Sequence, residues 1–328
     1  MAESTLSITF DDLQKEVAFY LGLSRDSTKW SASELESINS CIKSGLRQFY
    51  CPDPLPGERI AHDWSFLRPI ASFVVWSSLE ATSTNTVTGA TADGGSNTTL
   101  TATLPTFVPS MVGSAITLTG VSGEWTILSY TSSTVVKVSG AVPSMSTPRT
   151  FSMTASGDYP LPDDFGGIDS PITVLTPELG GPIPVGGEAS IRASRQYQTV
   201  TGKPTNAAVV PDLNDGTGQR FTLMLFPTPE VNYTLQFRYR VLPDALTTGK
   251  YAYGGSAHAE TVLESCLAVA EKRMNDTLGI HRTEFANRLR ASVSRDRLSA
   301  PHNLGYNGDN SDEMPIPVLN VTFNGVQY

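Results

Sequence analysis

The hydrophobic positions of this chain change their period along its length. Near the start they fall three and four residues apart: Leu13, Val17 and Tyr20/Leu21, then Leu35, Ile38, Ile42, Leu46 and Phe49. That spacing puts apolar side chains on one face of a helix. Thr9-Phe10-Asp11-Asp12 predicts the first helix start, with Thr as cap, acids at the positive end of the dipole, and Gly22 as the stop. Ser31-Ala-Ser-Glu34 reads as a capping box for the second helix. Cys51-Pro52-Asp-Pro54-Leu-Pro56-Gly57 ends it, since proline cannot continue a helix. An aromatic link, His62 to Pro69, then leads to a strand at Ile70 to Leu79.

The clearest strand signal is Phe221 to Val241. Phe221, Leu223 and Leu225 alternate with Thr222 and Met224. Tyr233, Leu235, Phe237, Tyr239 and Val241 alternate with Thr234, Gln236, Arg238 and Arg240. A period of two means one buried and one wet face. The proline-bearing run between the halves predicts an antiparallel hairpin, and this hairpin is the expected platform for the helices on either side. Helical spacing returns from Ser256, with Leu263, Leu267, Ala270, Met274 and Leu278 as one stripe and Gly279 as a break. Thr283 to Leu298 should turn Phe285, Leu289 and Val293 inward. Its outward face would hold Arg282, Arg288, Arg290, Arg295 and Arg297 against Glu284 and Asp296.

Composition divides the chain further. From about Ala81 to Ala155 it is dominated by Ser, Thr, Gly and Val, with Asp93, Glu124, Lys137 and Arg149 as the charged residues. Short β-prone runs recur at Thr98–Thr103, Ala115–Thr119, Trp125–Tyr130, Val135–Val138 and Thr150–Thr154. Such spacing predicts a small antiparallel barrel or sandwich inserted into the parent fold. Beyond it, Ser190–Val200 is open between helix and strand, and Ala207–Val210 reads as a short strand. From Ser299 the chain is polar and rich in Gly, Asn and Pro, closing with the β-prone run Ile316 to Phe323. A single strand on an arm invites strand addition to a neighbour, which makes Ile316, Val318, Leu319, Val321 and Phe323 candidate contacts with another subunit. The expected class is α+β: helices on a small antiparallel sheet, an inserted all-β domain, and an extended C-terminal arm. The expected divisions are 1–80, 81–156, 157–298 and 299–328.

Charge and chemistry narrow the function. The net charge is −9, so the chain as a whole is no nucleic-acid neutraliser. Cys41, Cys51 and Cys266 give neither a disulfide framework nor a zinc motif and read as free thiols. The N-terminal residues carry no basic and apolar signal pattern, and no apolar run approaches the ~20 residues that span a bilayer, so no membrane partner is expected. His62, His258, His281 and His302 sit in no metal-binding spacing, and His258 with Glu260 and Glu264 reads as a surface helix end. Asp212 to Gly216 reads as a turn, because its Gly falls one position early for a calcium loop and no Glu closes it. Asp163-Asp164 reads as a loop before Gly166-Gly167, against the alternative of paired catalytic carboxylates. No phosphate loop, dinucleotide fingerprint or nucleophile elbow is present, and no cofactor or catalytic residue is expected. The Arg row is a solvated face, an acidic-protein contact or, less in keeping with the acidic chain, a nucleic-acid surface.

Three groups of residues carry a resemblance. The first is Phe10-Asp-Asp-Leu, Leu21-Gly, Ile42-Lys-Ser-Gly45-Leu-Arg-Gln-Phe-Tyr50-Cys-Pro52 and Trp64-Ser-Phe-Leu-Arg-Pro69. The second is Tyr159-Pro-Leu-Pro-Asp-Asp-Phe165. The third is Leu225-Phe-Pro227-Thr-Pro229 with Tyr233 and Phe237-Arg-Tyr239, followed by the helix from Ser256. Together they resemble the head–tail connector (adaptor) proteins of tailed bacteriophages over most of 1–80 and 157–298. The resemblance implies a non-enzymatic virion part: a cyclic homo-oligomer of on the order of twelve copies at the neck. Its implied partners are the portal protein, a downstream tail or stopper protein, and double-stranded DNA passing through without sequence-specific binding. The arm, with Arg288 and Arg295, would meet the portal or a neighbouring subunit. A stopper, tail-tube or minor tail protein, a carbohydrate-binding β-protein and an enzyme with a non-local site are the competing readings.

Overall fold

The computed structural model describes residues 3–80, 82, 84–92, 97–143, 147–175, 181–198, 200–212, 220–275, 279–299, 322–323 and 326–327. Among these are five α-helices: α1 (Phe10–Tyr20), α2 (Ala32–Tyr50), α3 (Glu188–Tyr197), α4 (Ala259–Asn275) and α5 (Ile280–Ser299). The strands begin with β1 (Ile70–Val75), β2 (Leu79–Glu80), β3 (Val87–Ala92), β4 (Asn97–Ala102), β5 (Ala115–Leu118) and β6 (Glu124–Ser132). They continue with β7 (Val135–Ser139), β8 (Phe151–Met153), β9 (Asp158–Pro160), β10 (Phe165–Ile168), β11 (Thr173–Val174) and β12 (Thr201–Gly202). The remainder are β13 (Asn206–Asp212), β14 (Arg220–Phe226), β15 (Thr228–Pro229), β16 (Tyr233–Val241), β17 (Thr322–Phe323) and β18 (Val326–Gln327). The α+β class expected from the sequence is correct. Two compact units emerge, 1–68 with 242–328, and 69–241.

The first unit is helical and takes its helices from both ends of the chain. Both N-caps form as the sequence predicts. Thr9 Oγ1 accepts from the Asp12 amide at 3.1 Å and Ser31 Oγ from the Glu34 amide at 3.3 Å, while each carboxylate reaches back to its cap amide. Losing such a cap costs roughly 1 kcal/mol. Leu13, Val17, Ile38, Ile42, Phe49, Val262, Cys266, Ala270, Phe285, Leu289 and Val293 share one buried cluster. Among the described residues no strand residue belongs to that cluster, in which the helices bury their stripes against one another. Two details of the α4–α5 reading change: Met274 is 55% exposed, and Asp296 is buried rather than outward. Leu278 lies outside the described residues.

In α2 and α4 one glycine sets the approach. A Cβ on Gly45 would lie 2.6 Å from Cys266 Cα and 2.8 Å from its nitrogen. Ser265 Oγ donates to the Gly45 carbonyl at 2.7 Å, and Arg273 Nη1 donates to Ser40 Oγ at 2.8 Å. Advancing along α4 therefore means retreating along α2, an antiparallel pair.

The second unit is mostly β. Residues 79–153 form a seven-stranded antiparallel sheet in the order β2-β8-β5-β6-β7-β4-β3. Val87 of β3 exchanges backbone hydrogen bonds with Arg149, just before β8, so the sheet curls back toward its beginning. Leu100, Ile116, Ile127, Val136, Val138 and Phe151 point to its interior. Elsewhere in this unit β16 pairs with β1, β10 and β11, while β14 lies between β13 and β9. The α3 helix covers β13 and β14 through Ile191, Ala208 and Met224, so the part of the open 190–200 stretch up to Tyr197 is helix.

The predicted hairpin is incorrect in its pairing. Both strands exist and bury the expected faces, yet β14 and β16 are not hydrogen-bonded to each other. Each has its two edges taken by other strands. The link between them is six residues rather than a tight turn, and Thr228–Pro229 pairs in parallel with Thr201–Gly202. Pro227 and Pro229 have no N–H to offer a ladder. The buried sides of β14 and β16 meet in the same core from different sheets, with Leu223, Leu225, Leu235 and Phe237 in contact range of one cluster.

Candidate functional site

The predicted contact residues divide into two groups. Ile316, Val318, Leu319 and Val321 lie outside the described residues. The backbone at Phe323 is on β17, which pairs with β18, so this end of the run has a partner within the chain. Arg288 and Arg295 are both described. Arg288 Nη1 sits 3.8 Å from Glu260 Oε2, and the Arg295 guanidinium donates to the Ala257 carbonyl. Both therefore tie α5 to the start of α4. Arg297 pairs with Glu58 at 2.8 Å, an exposed bridge worth little by itself.

Asp296, read from sequence as an outward counter-charge, is 4% exposed. It sits one turn beyond Val293 on the same apolar stripe, and the residues 62–65 come to meet it. His62 Nε2 lies 2.8 Å from Asp296 Oδ2, Ser65 Oγ donates to Oδ1 at 2.5 Å, and the Ser65 amide donates to Oδ2 at 3.0 Å. Burial alone would raise the Asp296 carboxyl, but the Ser65 and His62 hydrogen bonds outweigh it and hold the group below its ordinary value. His258, expected at a surface helix end, is 5% exposed and packed edge-on or tilted against the rings of Trp64, Phe66 and Phe49. Burial drives it toward the neutral imidazole. Aspartate bridges serine and histidine here, whereas a nucleophilic triad needs histidine between the other two. The cluster is a latch between α5 and the 62–67 segment.

Other suspected chemistry resolves into structure. Asp163 pairs with Arg220, and Asp164 accepts from the Tyr239 hydroxyl at 3.3 Å, so these acids brace the β-unit. Residues 213–216 of the suspected turn lie outside the described residues. Cys41, Cys51 and Cys266 are free thiols, and burial pushes Cys266 up. Among the described residues no three His, Cys, Asp or Glu side chains gather as a metal site, and no helix is long and apolar enough to cross a membrane.

The feature that sequence reading missed is a basic face along α2 and α4. Three adjoining hollows, the largest about 690 Å³, all have Arg273 in their walls. Lys43, Arg47, Lys272 and Arg282 line them too, with Ser40, Ser44, Asn39 and Gln48 between, against the acids Glu36 and Asp53. No carboxylate lies within ion-pair distance of Lys43, Arg47 or Lys272 among the described residues. The antiparallel α2–α4 crossing, with Arg282 from the first turn of α5, gathers these charges in a chain whose net charge is negative.

The sequence model for the SU10 adaptor protein family matches residues 111–305, more than half of the chain. The chain belongs to the SU10 adaptor protein family. It is a phage structural adaptor protein and a component of the virion. The SU10 adaptor match takes in β5–β8, which the connector resemblance left open, and starts after the 10–69 pattern that carried part of that resemblance. No curated protein matches the chain.

Proposed function

We propose that this adaptor closes into a ring of on the order of twelve copies at the phage neck, joining the portal to the tail. Double-stranded DNA passes through the ring's centre without sequence-specific contact. The arm beyond Ser299, with Ile316, Val318, Leu319, Val321 and Phe323, docks on the portal or an adjoining subunit, and a tail or stopper protein closes the other side. Arg288 and Arg295 contribute only as far as their intrachain contacts leave them surface to share. The observation that carries this reading is membership of the SU10 adaptor family. The separate core of the helical unit supports it, because such a unit keeps its shape while its surface serves as an interface.

The test is assembly with the portal protein of the same phage. Co-sedimentation of the full chain with portal rings supports the reading. A chain that binds a tail-tube or stopper partner but ignores the portal points instead to another neck or tail component.

A further inference from the structure

We propose that the basic face of α2 and α4 is a docking surface for an acidic peptide, and that its occupant in the free protein is the chain's own run Asp309 to Glu313. The inference goes beyond the ring and does not depend on it. Lys43, Arg47, Lys272, Arg273 and Arg282 stand around the three hollows against two acids. Lys43, Arg47, Lys272 and Arg273 are exposed, and Arg273 is held in place by its bond to Ser40. Side-chain amides and hydroxyls at Asn39, Ser40, Ser44 and Gln48 add donors of the kind a carboxylate accepts. The hollows are open to solvent and lined by polar and apolar surface in about equal parts, unlike the enclosed, mostly apolar pockets that hold small molecules.

Charge and reach choose the occupant. From Ser299 onward the chain has three acidic side chains, Asp309, Asp312 and Glu313, and no Lys or Arg. Helix α5 from Arg282, at the hollows, to its end at Ser299 is about 25 Å long at ~1.5 Å per residue. The ten residues from Ser299 to Asp309 span about 33–36 Å when extended. The acidic run can therefore return along α5 to the basic face. Tethering raises its local concentration to the millimolar range, which favours it over a free competitor of equal charge. A nucleic acid would have the same sign, but the chain's net charge of −9 opposes its approach. When the arm leaves for another partner, the basic face is uncovered.

Zero-length carbodiimide coupling tests this on the full chain, prepared as an equal mixture of normal and ¹⁵N-labelled copies and read by mass spectrometry. Amide links from Lys43 or Lys272 to the 309–313 carboxylates should form within copies of one isotope. Their yield should fall by about an order of magnitude in roughly 0.5 M salt, which screens exposed charges. The variant Asp309→Asn/Asp312→Asn/Glu313→Gln should lose the links while keeping the parent's circular dichroism. Links that join light and heavy copies would assign the face to a second subunit and overturn the inference. Absent links would overturn it as well, and binding of a short DNA duplex that Arg47→Gln weakens would then name nucleic acid as the occupant.

Discussion

Replacing Gly45 with alanine sets two opposed effects against each other at the α2–α4 crossing. Alanine favours the helix by about 1 kcal/mol over glycine. Its methyl group, however, would fall 2.6 Å from Cys266 Cα and 2.8 Å from the Cys266 nitrogen, both backbone atoms that no rotamer change can move. Reaching an ordinary 3.4 Å contact requires the helices to part by about 0.8 Å. Overpacking of this kind costs about 1–3 kcal/mol. Parting the helices also weakens the 2.7 Å bond from Ser265 Oγ to the Gly45 carbonyl, worth roughly 1 kcal/mol. The clash wins, and Gly45→Ala should destabilise the helical unit by about 1–3 kcal/mol net. Urea unfolding of the full chain measures the loss, and hydrogen exchange of α2 and α4 peptides locates it. A Gly45→Ala chain more stable than its parent, with slower exchange in α2, would refute the close crossing.

Asp296→Ala strands the Ser65 amide, the Ser65 hydroxyl and His62, and should cost about 2–4 kcal/mol in the same unfolding assay, with Asp296→Asn in between. Because the Asp296 carboxyl is held below its ordinary value of 3.8, its contribution is present above that pH and is lost as pH falls through the lower folded value. An Asp296→Asn chain should show less acid sensitivity there. His258 is also depressed, so between its folded value and about 6.5 the unfolded chain binds the extra proton and stability falls as pH drops. The stability difference between pH 7.5 and 5.5 should shrink in His258→Gln, and an unchanged difference would remove His258 from the account. Deleting Ile316 to Tyr328 should leave the circular dichroism intact and abolish sedimentation with portal rings, whereas unchanged attachment would exclude the arm's role.

Periodicity carried most of the local structure into the sequence. The Thr9 cap, the capping box at Ser31, the stripe Phe285–Leu289–Val293, the strands on either side of Pro227 and the short runs between 97 and 153 all follow from spacing and turn residues. Pairing did not, because alternation says which face of a strand is buried but not which strand lies beside it. β14 and β16 looked like hairpin partners, and their edges were filled by β13, β9, β1 and β10 instead. Asp296 is legible by position, one turn beyond Val293 on the apolar stripe, although its charge points to an outward side chain. The basic face was not legible as a face. Lys43 and Arg273 are more than two hundred residues apart, and only the crossing at Gly45 joins them. A glycine inside an otherwise regular helix was the signal that two helices meet there.

The most direct test of the adaptor's role is its assembled mass. Native mass spectrometry of the purified chain, alone and with portal rings, should give a closed oligomer of on the order of twelve 35.2 kDa subunits, at the latest when the portal is present. A chain that stays at the mass of one subunit in both samples would contradict the ring.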